Sequence, residues 1–137
     1  MMRYILDTCA LVAFFNDEGG ADVVENLLTE ASRGVCIITM NKFNLLEAYY
    51  GYLRADGEDF AEKILSSVEN SCIDIFDVLT NDLLRQAGKL KVSYKISLAD
   101  SIVLAHAMVD NCIVVTSDHH EFDTVEEKEK IRFNWIR

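Results

Sequence analysis

Ser97-Leu98-Ala99-Asp100-Ser101-Ile102-Val103-Leu104-Ala105-His106-Ala107-Met108-Val109-Asp110-Asn111-Cys112-Ile113-Val114-Val115-Thr116-Ser117-Asp118 is the stretch that decides the fold. Residues 98–108 are apolar almost all round, the composition of a helix buried on every side. A short polar break follows, and 113–116 is then a continuous apolar run of strand length. Strands of that kind are covered on both faces, as in a parallel sheet sandwiched by helices.

The same alternation extends outward from this unit. Residues 4–6 read as a buried strand ending at Asp7, and 10–15 as a short helix. Val23, Val24, Leu27, Leu28 and Ala31 have helical spacing over 21–32. Strands are predicted over 35–39, 73–76 and 132–136, and helices over 42–53, 59–68 and 81–91. Gly19-Gly20, Gly34 and Asp56-Gly57 punctuate the chain, which contains no proline.

A chain of 137 residues, half of them apolar and about a quarter charged, fits one soluble domain and excludes a disordered chain. The apolar run 102–109 is interrupted by His106 and is far too short to span a membrane. The run 4–6 is too short for a signal-peptide core, so a cytoplasmic protein is expected. Cys9, Cys36, Cys72 and Cys112 are scattered, without a C-x-x-C pair or zinc spacing. The last three lie in apolar strand-like runs and are expected to be reduced core thiols. The net charge of −10 has the wrong sign for a surface that binds phosphate, unless some of the acids hold cations.

Open parallel sheets place their sites beyond the carboxyl ends of the strands. Asp7 directly follows the first strand, and Asp118 follows the fourth by two residues. Each could equally be a helix cap or turn residue. Ser97 and Asp100 fit a capping box, yet Val103, Leu104 and Ala107 put Asp100 at the head of a protein-facing stripe. Glu47 shares a helical face with Phe43, Leu46 and Tyr50, predicted to face the core; there it needs a cation or a donor. The other explanation is a snorkelling Glu47 paired with Lys42 or Arg54. Two carboxylates about 4 Å apart repel by roughly 4 kcal/mol at an effective dielectric near 20, so four together need compensation, which Mg2+ or Mn2+ can supply.

In order along the chain these residues lie in Leu6-Asp7-Thr8, Asn44-Leu45-Leu46-Glu47-Ala48, Leu98-Ala99-Asp100-Ser101 and Val115-Thr116-Ser117-Asp118. The pattern resembles the PIN-domain family over nearly the whole chain. The resemblance implies a single PIN-like domain over residues 1–137, a three-layer α/β/α sandwich with a mostly parallel five-stranded sheet. It also implies Mg2+- or Mn2+-dependent cleavage of single-stranded RNA by metal-activated water, with Asp7, Glu47, Asp100 and Asp118 as catalytic residues and metal ligands. In size the chain is similar to VapC-type ribonuclease toxins, which implies an antitoxin protein partner and a homodimer. Many members carry a further acid where this chain has His120, so Glu121 or Asp123 is expected to take its place. Thr8, Thr116 and Asp123 are expected to steady the ligands, and Arg85, Lys89, Lys91 and Lys95 to contact the RNA backbone or simply form a solvated face.

Other features are read more plainly. His119-His120 lacks a third nitrogen or sulfur ligand and is expected in a packed loop. His106 is expected to be a hydrogen-bonded core residue. Phe14-Phe15 and Tyr49-Tyr50 could stack bases but more often pack in a core or dimer. A haloacid-dehalogenase-like phosphatase would need an acid at Cys9, and a receiver domain is poorly served by residues 73–77 with Lys89. A PIN fold kept as a non-catalytic binding module for a protein partner remains the rival to the enzyme.

Overall fold

The computed structural model describes residues 1–137. Along the chain run β1 (Met2–Leu6), α1 (Thr8–Phe15), α2 (Ala21–Ser32), β2 (Cys36–Asn41), α3 (Lys42–Asp56) and α4 (Glu58–Glu69). There follow β3 (Ile73–Phe76), α5 (Asn81–Ser93), α6 (Leu98–Asp110), β4 (Ile113–Thr116), α7 (His119–Lys128) and β5 (Phe133–Trp135). The strands form one sheet in the order β3-β2-β1-β4-β5, with every neighbouring pair parallel.

Alternation along the central strands explains why both faces must be covered. Ile5 and Val114 point into a core shared with Leu83, Leu90, Val103, Leu104 and Phe122, contributed by α5, α6 and α7. Leu6 and Val115, their immediate neighbours, point the other way, into a core with Leu11, Val24, Leu27 and Val68 from α1, α2 and α4. The result is the α/β/α sandwich expected from the continuous apolar strands. No helix is long and apolar enough to cross a membrane.

Strand order places the site. From β1 the chain moves outward through β2 to β3, then crosses back to lay β4 on the other side of β1. The crevice at such a reversal, beyond the carboxyl ends of the strands, is where open α/β sheets bind ligands. Here it lies between β1 and β4, where Leu6 is level with Val115.

Three expectations are corrected. The segment expected as a loop at His119-His120 is the start of α7, because Asp118 caps it and Phe122 and Val125 anchor it with no exposed surface. Cys72 precedes β3 and is exposed, whereas Cys36 and Cys112 are buried; all four thiols are free. The stripe of α3 bearing Phe43, Leu46 and Tyr50 faces outward, with exposures of 44%, 55% and 43%. The buried face of α3 is Asn44, Leu45, Ala48 and Tyr52.

Candidate active site

Asp7 emerges from the central strand directly into the crevice and is 1% exposed. As N-cap of α1 it accepts a hydrogen bond at Oδ1 from the Ala10 N–H at 2.9 Å. Thr116, the last residue of β4, donates its hydroxyl to Oδ2 through a short hydrogen bond. The same hydroxyl oxygen accepts from the Asp118 N–H at 2.9 Å, so one threonine ties together the ends of β1 and β4.

Asp118 caps α7 by accepting from the Glu121 N–H at 3.1 Å. Asp100 lies in the first turn of α6, where the Ser97 hydroxyl accepts from its N–H at 3.1 Å. Capping therefore explains how Asp7, Asp118 and the Ser97–Asp100 pair are built into the chain, and it also turns the acids toward one another. Ligand atoms of Asp100, Asp118 and Glu121 lie within 4.8 Å of one another. Glu121 enters this group because, three residues beyond the cap, it faces back over it. Asp123 follows two positions later, on nearly the opposite side of the helix, and pairs with exposed His119 at 2.8 Å. Of the two acids expected to stand in for His120, the structure brings in Glu121 and leaves Asp123 outside; His120 is exposed.

Glu47 approaches from α3. Its Oε1 accepts from the Thr8 hydroxyl at 2.9 Å and from Asn44 Nδ2 at 3.2 Å. Neither Lys42 nor Arg54 forms an ion pair with it. Asn44 and Asn41, both buried, were not singled out from the sequence. The signal is the spacing: Asn44 and Glu47, three apart, share one side of α3, and Asn41, three before Asn44, is the last residue of β2 and caps that helix.

The electrostatics are those of an uncompensated acidic pocket. Burial pushes Asp7 up to about 7, against hydrogen bonds from Thr116 and Ala10, with Asp118 and Glu47 adding repulsion. Burial pushes Asp100 up to about 8, reinforced by Asp7, Glu47 and Glu121 and opposed by Ser97. Glu121 is raised by burial and Asp118, and eased by His120, the Ser97 N–H and Lys91. The half-buried Cys9 thiol is driven to about 12 by burial and by Asp7, Asp118, Asp100 and Glu47, so it stays protonated beside them. The ion pairs of the molecule are Arg85–Asp82, His106–Asp110, His119–Asp123 and Arg137–Glu18, none of them in this pocket.

Of the basic residues, Lys89, Lys91 and Lys95 are exposed. Lys91 Nζ donates to the Ile96 carbonyl at 2.6 Å, which holds it near the loop before α6. Arg85 is taken up by Asp82 at 3.7 Å. Among the aromatics, Phe14 and Phe15 pack against the core and the Tyr49 hydroxyl donates to Glu62.

A family model for the PIN domain matches residues 4–128. No curated protein matches the sequence. Among solved structures the chain is similar to VapBC2 from Rickettsia felis bound to a DNA fragment from their promoter, with a TM-score of 0.73 at 18% identity over 97% of this chain and 98% of that one. It is similar to DNA-bound VapBC from Salmonella typhimurium, with a TM-score of 0.71 at 21% identity over the whole of both chains. It is also similar to VapC20 of Mycobacterium tuberculosis, described as a Sarcin-Ricin loop cleaving toxin, at a TM-score of 0.56 and 16% identity over 81% and 86% of the two chains. These likenesses speak for the fold; the family match covers most of the sequence, and on it the chain belongs to the PIN domain family.

Proposed function

We propose that this chain is an endoribonuclease that cleaves single-stranded RNA with Mg2+ or Mn2+ held by Asp7, Glu47, Asp100 and Asp118, joined by Glu121. The observation that carries the reading is a group of carboxyl groups at the reversal of strand order, Asp7 and Asp100 buried and Glu47, Asp118 and Glu121 partly so, with no lysine or arginine in ion-pair contact. Carboxylate oxygens are the ligands that hard divalent cations prefer, and three of them already lie within 4.8 Å of one another. A cation bound there supplies Lewis acidity toward water and the scissile phosphate.

The residues of the chain do the positioning. Thr116 and the Ala10 N–H hold both oxygens of Asp7, so its carboxylate cannot swing away from its neighbours. Thr116 also fixes the start of the Asp118 cap. Thr8 and Asn44 hold one oxygen of Glu47. Asp100, pushed up to about 8, favours its protonated form at neutral pH in the metal-free chain, and as a ligand it would give that proton up to a cation. Lys89, Lys91 and Lys95 supply backbone contacts; the charge of Lys91 is already felt at Glu121.

We further read the chain as the cytoplasmic toxin of a toxin–antitoxin pair, a homodimer held inactive by an antitoxin protein. Supporting this are the fold shared with VapBC complexes and a net charge of −10 that suits a basic partner. The outward stripe of Phe43, Leu46, Tyr50 and Leu53, beside a 320 Å³ groove lined by Phe76, Val78 and Leu79, supports the homodimer. The deciding experiment is cleavage of single-stranded RNA in Mg2+ or Mn2+ by the wild type and by Asp7→Asn. Attack by water leaves 5′-phosphate and 3′-hydroxyl ends. Equal cleavage by both proteins, or cyclic-phosphate products, would overturn the reading.

A further inference from the structure

The buried face of α3 carries Leu45, Ala48 and Tyr52, as a core-facing helix should, and ahead of them in its first turn an amide that is completely buried, Asn44. A buried amide is costly unless all its polar atoms are satisfied. Here each of them is. Asn41, itself 1% exposed, accepts the Asn44 N–H at 2.7 Å and donates to Asn44 Oδ1 at 2.5 Å. The first is the main-chain cap of α3; the second fixes which way the Asn44 side-chain amide faces and leaves Nδ2 turned toward the pocket. Nδ2 donates to Thr8 Oγ1 at 2.9 Å and to Glu47 Oε1 at 3.2 Å. Asn41 Nδ2 also reaches the Ala99 carbonyl at 3.4 Å, in the turn that carries Asp100.

We propose that Asn44, oriented by Asn41, is a positioning residue that presents Glu47 to the cation of the acidic pocket. The proposal rests on the cation-dependent reading given above. Its chemical logic is the neutrality of the donor. A lysine or arginine in place of Asn44 would hold Glu47 equally well but would cancel the charge the cation needs. An amide fixes the carboxylate and leaves that charge available. Both donors also fall on Oε1, so Oε2 is the oxygen left free of protein partners. Glu47 is thereby set up as a one-oxygen ligand, with Asn41 coupling its placement to the turn of Asp100.

The test is Mn2+ binding to the otherwise metal-free chain, followed by electron paramagnetic resonance and calorimetry, with thermal unfolding measured alongside. Asn44→Val should weaken Mn2+ binding about tenfold, the lower end of what losing a partner of a metal ligand costs. The same substitution in a Glu47→Gln background should cause no further loss, because Asn44 acts through Glu47. A merely structural role would lower affinity equally in both backgrounds and sink the proposal, as would unchanged affinity in a folded Asn44→Val protein. If the valine variant does not fold, Asn44→Ser, too short to reach Glu47, carries the same comparison. Wild-type protein that binds no Mn2+ would overturn the cation reading and this proposal together; Mn2+ binding indifferent to Asn44 would remove this proposal alone.

Discussion

The two ends of α6 each bury a titratable side chain, and the surroundings of the two could hardly differ more. At the first turn Asp100 faces Asp7, Glu47 and Glu121, all of its own sign. Two turns on, His106 meets Asp110, whose Oδ2 is 3.1 Å from Nε2, and its ring stacks on Phe76 at 4.1 Å between centroids. One end is a charge problem that the protein leaves unsolved, and the other is a packed and largely satisfied histidine. Burial alone does not mark a functional group. Burial among unneutralised like charges does, because stability gives no reason to assemble them.

The sharpest way to break this contrast is Asp100→Asn. Cleavage of single-stranded RNA should fall about 10³-fold, the scale on which a single charge-stabilising group matters, while the metal-free chain becomes no less stable. Retained cleavage would move Asp100 to the structural class. The next effect is in stability against pH. Asp7 and Asp100 hold their protons up to about 7 and about 8 in the fold, against an ordinary 3.8. The folded chain therefore binds more protons than the unfolded chain between those values, so metal-free stability must fall as pH rises from about 4 to about 8. The drop should be several kcal/mol, with about 10 kcal/mol as the ceiling the two raised values set, read as denaturation midpoints at stepped pH. Mg2+ added at pH 8 should recover most of it, and Asp100→Asn should flatten the slope. A metal-free chain most stable at pH 8 would contradict the electrostatics of the pocket.

A smaller effect tests where RNA lies relative to the pocket. Replacing Lys89 and Lys91 with Ala should weaken binding of single-stranded RNA and reduce its salt dependence by about one ion per lost contact. Mn2+ affinity should not fall, because the substitutions remove only positive charge, that of Lys91 being felt at Glu121. RNA affinity indifferent to both lysines would clear α5 of any role.

How much of this was legible in the sequence depends on the element. The strands and their order of appearance follow from β-branched runs such as Ile113-Val114-Val115, and strand ends locate Asp7 and Asp118 without side-chain detail. Helix α7 was hidden because Phe122 and Val125 are its only buried residues, too few for a periodic signal. Glu47 shows a subtler limit. The spacing of Phe43, Leu46 and Tyr50 identifies an apolar stripe but not the direction it faces; the stripe points outward, and Glu47 lies beside the pocket because Thr8 and Asn44 hold it. Glu121 joined Asp100 and Asp118 through the geometry of the Asp118 cap, which becomes visible only once α7 is known to be a helix.

The smallest expected effect belongs to the other end of α6. Burial lowers the His106 pKa from its usual 6.5; Arg3 adds to this and Asp110 opposes it. The folded chain then binds fewer protons there than the unfolded one, so this residue erodes stability as pH falls below about 6.5, the reverse of the slope that Asp100 imposes. His106→Leu should remove that acid-side loss. At pH 8 it forfeits the bond to Asp110 and the stacking on Phe76, worth about 1 kcal/mol each. It also removes Nδ1, a buried nitrogen with no hydrogen-bond partner, whose relief is worth about 1–3 kcal/mol. The two effects nearly cancel, so the unfolding midpoint at pH 8 should move little and cleavage should be untouched. A His106→Leu protein that keeps its midpoint but loses cleavage would show that the functional pocket reaches further along α6 than the carboxylates do.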